Sequence, residues 1–207
     1  SRGLGDVYKR QVENNPTDPA SGTHEITFSR ECWIEADDFM EVPVPKYKRL
    51  TPNGPECRLK GAYLITCTGC KKDENGNVVE VYAEYDPNSP GGDPADGRKV
   101  KGATIHWVDA ATALDAEVRV YSELFSDPAP DGADKDFLAC MNPDSLETLT
   151  GCKVEARMRD VAAAYDRTEK QGKTAPSFQF MRLGYFCLDN KDSRPGHLVF
   201  NRSVSLK

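Results

Sequence analysis

A chain of 207 residues can hold one large domain or two small ones, each with a core of its own, and its Gly and Pro content points to many short strands joined by turns. A net charge of −6 excludes a protein that coats nucleic acid by bulk attraction, so any nucleic-acid site must be a local patch of the opposite sign. No apolar run reaches membrane-spanning length and no leader resembles a signal peptide, so the expectation is a cytoplasmic protein that meets no membrane.

Taken in order, residues 1–11 show no periodicity and run into a polar Asn/Pro/Asp/Gly stretch that ends at Gly22. They look like translated sequencing-adapter read-through, which predicts a non-native, disordered leader over 1–22 whose first eleven residues can be removed without thermal cost. Strands are predicted at 24–28 and 32–34, with a helical turn at 36–40 before Pro43 and Pro45.

Residues 46–60 then read as two short strands hinged at Asn53-Gly54, because both residues tolerate the positive φ of a tight turn. Alternation puts Glu56, Arg58 and Lys60 on one face of the second strand and Cys57 and Leu59 on the other. The first strand sets Lys46 and Lys48 against Tyr47 and Arg49. Lys46, Lys48, Arg49, Arg58 and Lys60 stand against the single carboxylate of Glu56, so the local sign opposes the global one. Fixed cations beside a tyrosine suit an unstacked single strand, with Lys and Arg on phosphates and aromatics on bases. The plainer alternative is a solvated face that discourages edge pairing.

A second hairpin is predicted from 62–68 and 78–85 around residues 73–77, with Val79, Val81, Ala83 and Tyr85 facing inward. Seven cysteines form no even, secreted-type framework and predict free thiols; Cys67 and Cys70 form a lone C-x-x-C without the further ligands of a zinc site. After a Pro/Gly/Asp loop at 86–97 come a strand at 100–108, a turn at 110–114 and a strand at 117–125. A loop at 127–134, a short helical segment at 136–141, strands at 146–149 and 152–156, and a surface helix at 159–171 follow. Strands at 179–188 and 198–206 close the chain. The expected fold is all-β, with two antiparallel β-barrels over residues 23–112 and 113–207.

Several stretches, in order, resemble the C-terminal anticodon-binding region of the glutaminyl-tRNA synthetase family. They are Lys48-Arg49-Leu50, residues 56–63 and 93–102, Ile105-His106-Trp107-Val108, residues 178–189 and Asn201-Arg202. The resemblance implies two barrels of the class I aminoacyl-tRNA synthetase type that grip a splayed anticodon loop. It places Lys48 and Arg49 at the third anticodon base, Arg58 and Lys60 at the first, and Gln179 with Arg182 near the middle one. Gln offers donor and acceptor to a uracil edge, and Arg a planar fork to guanine or phosphate. Lys46 and Lys60 depart from the Gln and Arg frequent in the family, which turns forked contacts into point charges. Strands that the family supplies upstream are absent, which predicts an incomplete second barrel with an exposed edge.

The resemblance also implies a glutamine-tRNA ligase whose ATP and Mg serve a catalytic domain outside this sequence, with no cofactor in this segment. Its partners are glutamine tRNA and its own N-terminal catalytic domain, in a monomer. Neither a His-x-Gly-His nor a Lys-Met-Ser-Lys-Ser element occurs, so the segment is expected to be inactive alone. The alternatives are the anticodon-binding barrels of a glutamyl-tRNA synthetase, or a β-barrel module for protein or oligosaccharide with a solvated cationic hairpin.

Overall fold

Alternating side chains and Gly/Pro punctuation yield thirteen strands and one α-helix in the computed structural model, which describes residues 8–14, 18–132, 134–136, 138–165, 175–180 and 183–205. The chain divides into two compact units, Ser1–Thr112 and Ala113–Lys207.

Unit 1 begins with β1 (Tyr8–Glu13), antiparallel to β2 (Thr23–Phe28) in a register running from Tyr8 opposite Phe28 to Glu13 opposite Thr23. The leader expected to be disordered therefore contains a paired strand. Its period-2 pattern turns Tyr8, Arg10 and Val12 to one side, and Tyr8 lies edge-on to Tyr63 with ring centroids 6.2 Å apart. Arg10 breaks the apolar pattern that would have revealed the strand. Its guanidinium carbon sits 4.8 Å from the Tyr63 ring centroid, and its buried Nε has no hydrogen-bond partner among the described residues.

An orphaned N–H costs roughly 1–3 kcal/mol, and a cation–π contact returns only part of that. Arg10→Val should therefore raise the melting temperature of unit 1 by about 5 °C, at roughly 1 kcal/mol net. A lower melting temperature in a calorimetric scan would show that the stacked cation outweighs its unpaired donor.

Next come β3 (Cys32–Ile34), β4 (Cys57–Leu59), β5 (Leu64–Lys72), β6 (Val78–Asp86), β7 (Thr104–Ile105) and β8 (Trp107–Asp109). They form a sheet ordered β6-β5-β4-β7 and a separate β3-β8 pair. Leu50, Cys57, Leu59, Tyr63, Ile105 and Trp107 gather with Phe28 into one core. Burial pushes the Cys57 thiol up to about 11, and burial together with Asp109 pushes Cys32 up to about 12, so both stay neutral thiols at physiological pH. The β5-β6 hairpin turns at 73–77 as expected, but β6 is far less buried than its alternation suggests. Val79 is 53% exposed, while Val81 packs on the core and Tyr85 meets Phe28 and Tyr63 edge-on.

Unit 2 comprises β9 (Leu114–Tyr121), β10 (Leu146–Val154), α1 (Arg157–Ala164), β11 (Ser177–Phe180), β12 (Gly184–Leu188) and β13 (Leu198–Ser205). One sheet, ordered β10-β9-β13-β12-β11, buries Val118, Phe186, Leu188, Leu198 and Phe200 on one face, with Ala162 of α1 packed against them. The expected helix at 159–171 starts earlier and ends at Ala164; residues 166–174 lie outside the described residues. The described part of 136–141 makes turns, with Asp136 accepting the Leu138 N–H instead of starting a helix.

The all-β class holds, but among the described residues neither unit closes into a barrel. In unit 2 the end strands β10 and β11 do not pair with each other, leaving two edges among the described residues. Nor is the pairing purely antiparallel: β4 runs parallel to β7, and β9 to β13, because each pair is joined through intervening strands rather than a hairpin.

Candidate nucleic-acid interface

The predicted hairpin at 46–60 is replaced by a different local build. Pro43 and Pro45 interrupt any strand, and a turn closes where the Tyr47 N–H donates to Val44 O at 3.0 Å with Lys46 at φ 67°. Leu50 then pairs with the preceding segment. Its N–H donates to Asp38 O, and its carbonyl accepts from Met40, each at 3.0 Å. Asn53-Gly54 does make the expected turn, with Asn53 at φ 55° and the Gly54 N–H donating to Thr51 O at 2.9 Å, but only the second arm continues as a strand.

Between the two arms runs the backbone of Ala103. It donates to Lys48 O at 2.7 Å and accepts from the Arg58 N–H at 3.1 Å, so residues 46–49 and Arg58 lie on either side of it. Gly102 permits this approach, because a Cβ there would lie 2.3 Å from Glu56 O.

Lys46, Tyr47, Lys48 and Arg49 line an open cleft of about 550 Å³, with Val44 and Ala103 as apolar wall. Two of these side chains are held from behind. The Tyr47 hydroxyl donates to Asp37 O at 3.3 Å, and Arg49 Nη1 donates to the same carbonyl at 3.1 Å. Arg49 Nε lies 3.6 Å from Oδ1 of Asp38, which is 1% exposed. A guanidinium carries five donors, so one anchored from behind still has N–H groups to offer a base edge or phosphate.

On β4, Cys57 and Leu59 are buried and Arg58 faces the other way, as the alternation requires. Arg58 Nε donates to Gly92 O at 2.6 Å and Nη2 to Asp93 Oδ1 at 3.3 Å, so its head is aimed by the loop at 90–93. Gly92 holds φ 90°, and a Cβ there would lie 2.6 Å from the Arg58 Cγ. Lys60 is exposed, and its carbonyl accepts the Trp107 Nε1–H at 3.0 Å.

Residue-level reading missed Arg98. It donates to Glu56, Asp86 and Asp96, whose carboxylates hold its proton still more firmly than usual. Three carboxylates thus neutralise it and fasten the long loop before it to Glu56. The Asp96-Gly97-Arg98 run was the available signal.

In unit 2, Gln179 stands exposed on the edge strand β11, directly opposite Tyr185 of β12. Arg182 lies outside the described residues. Among the described residues, no group of three or more His, Cys, Asp or Glu is placed to hold a metal ion, and no helix is long and apolar enough to cross a membrane.

Residues 3–86 match the family described as tRNA synthetases class I (E and Q), anti-codon binding domain, and residues 104–189 match a second family of the same description. The chain is 50% identical over 198 residues to the glutamine–tRNA ligase of Bordetella avium, covering 95% of this chain and 31% of that protein. It is 46% identical over 203 residues to that of Bradyrhizobium diazoefficiens, covering 98% and 34%. Against that of Clostridium kluyveri it is 48% identical over 198 residues, covering 95% and 33%. The chain thus spans about a third of the length of the curated relatives it matches.

Proposed function

Because the chain belongs to the anticodon-binding domains of class I tRNA synthetases (E and Q), we propose that it reads the anticodon loop of glutamine tRNA for a glutamine-tRNA ligase. The observation that carries this reading is the cleft of Lys46, Tyr47, Lys48 and Arg49, a local cationic site beside an aromatic ring in a chain of net charge −6. Such a site binds an unstacked strand through phosphate pairing and stacking, without general affinity for polyanions. The curated relatives named glutamine–tRNA ligase support glutamine as the amino acid.

In this reading Lys48 and Arg49 hold the third anticodon base and its phosphate, Arg58 and Lys60 the first, and Gln179 with Arg182 the middle base. ATP and Mg act in a catalytic domain of the same polypeptide, and the enzyme works as a cytoplasmic monomer.

The test is fluorescence-anisotropy binding of the chain to an RNA stem-loop bearing a glutamine anticodon, beside one with the middle base changed, across a salt series. Tighter binding to the glutamine loop is expected, with about −0.7 in log K against log salt for each single-strand phosphate contact. Equal, salt-steep binding to both loops would reduce the site to a charged surface.

Arg49→Ala should weaken binding to the glutamine loop about tenfold, and weaken binding to a loop with a changed third base much less, since a good forked base contact supplies roughly 1–3 kcal/mol. Equal losses on both loops would leave Arg49 as a phosphate contact.

A further inference from the structure

The face of the five-stranded sheet turned away from the phenylalanine core carries a polar row whose use the assigned residues do not exhaust. On β11 and β12 the burial pattern alternates cleanly. Phe178, Phe180, Phe186 and Leu188 turn inward, and Ser177, Gln179 and Tyr185 are exposed. The antiparallel register sets Gln179 directly opposite Tyr185, so the two side chains leave the same face as cross-strand neighbours, with Cβ atoms about 4.5–5.5 Å apart.

Beneath them the ladder is firm. Phe180 stacks on Phe186 with centroids 4.4 Å apart, and the Ser203 hydroxyl donates to Tyr185 O at 3.0 Å. Tyr185 is 43% exposed although it sits within a paired strand. A large amphipathic ring on a rigid strand, beside a carboxamide that can both donate and accept, is the pairing that single-stranded RNA recognition uses. One group reads the base edge while the other covers its π-face.

Resting on the reading of Gln179 given above, we infer that Tyr185 is a further base-binding residue of the same site: its ring stacks on the unstacked middle base of the anticodon while Gln179 meets that base's edge. The ligand is a uracil base, neutral and planar. The ring provides affinity for a base of any kind, and the amide provides the choice among bases.

The experiment measures binding of the chain and its Tyr185→Ala, Tyr185→Val and Tyr185→Phe variants to a glutamine anticodon stem-loop and to the same RNA with an abasic middle position. Tyr185→Ala should lose about tenfold on the intact loop and nothing further on the abasic one, because the stacking partner is already gone. Tyr185→Phe should retain wild-type affinity, since the π-face is kept, while Tyr185→Val, a strand-favouring residue with no π-face, should lose as much as alanine and carries the test if the alanine variant is impaired in folding. No loss with alanine, an equal loss on the abasic loop, or a phenylalanine variant as weak as alanine each overturns the assignment. If the unsubstituted chain itself does not prefer the glutamine loop, the functional reading fails and this inference with it. A chain that prefers the glutamine loop and whose Tyr185→Ala variant keeps full affinity for it overturns this inference alone.

Discussion

Deleting residues 1–13 will cost unit 1 on the order of 4 kcal/mol and lower its melting temperature by about 15 °C or more. The deletion removes the whole of β1, and with it every ladder bond to β2. It also removes Tyr8 from its edge-on contact with Tyr63, and Val12, whose Cγ1 lies where a Cβ at Gly61 would come within 2.5 Å. Burying a Val or a large aromatic side chain contributes about 1.5–3 kcal/mol, and two of them account for the estimate. The truncation exposes the ladder groups of β2 as well, so the truncated chain should aggregate more readily. Differential scanning calorimetry of the two chains decides the matter. An unchanged melting temperature would restore the expectation of a dispensable leader. Val12→Asp provides a milder check, because it keeps the backbone ladder while placing a charge over Gly61.

What could be read from the sequence followed the range of the interactions involved. Residues 32–34 were readable as a strand, and the β5-β6 hairpin was readable from Asn75-Gly76, because each rests on propensity and turn chemistry within a few residues. The alternation of Cys57, Arg58 and Leu59 was readable for the same reason. The first arm of the expected hairpin was not. Leu50 finds its partners among residues 38–40, and Lys48 meets Ala103, pairings that no local pattern announces.

The site divides in the same way. Its cations stand out as residue types against an acidic chain, but what aims them is distant in sequence. Asp37 and Asp38 lie behind Arg49, and Gly92 and Asp93 lie beneath Arg58. Strand β1 was hidden by a single inward arginine, and the open sheets by parallel neighbours that a string of short antiparallel-looking strands cannot reveal.

Asp189→Ala should destabilise unit 2 by about 3 kcal/mol at neutral pH, through loss of charged hydrogen bonds that the loop between β12 and β13 cannot replace. The carboxylate is 8% exposed. It accepts from the Lys191 N–H at 2.8 Å and the Asp192 N–H at 2.6 Å, which form the turn, and from Asn201 Nδ2 at 2.7 Å, which ties the turn to β13. Arg119 of β9 lies 3.8 Å away and is itself shared with Glu117 and Asp192.

Burial alone would push this carboxyl up. The donors and the arginine outweigh it and hold the group below its ordinary value of 3.8. A carboxyl with a depressed folded-state pKa contributes stability that is fully present above the unfolded value and is lost as pH falls through the folded one. The stability difference between the wild type and Asp189→Asn should therefore be flat from neutrality down to about pH 5, then shrink as pH falls below the ordinary carboxylate value of about 4 toward the lower value of the folded state. Subtracting the variant cancels the other carboxylates of the chain, including Asp127, held low by Lys135. Urea midpoints across that range measure the difference. Parallel curves for the two proteins would mean that the turn is held by its backbone alone and that the charge on Asp189 contributes nothing.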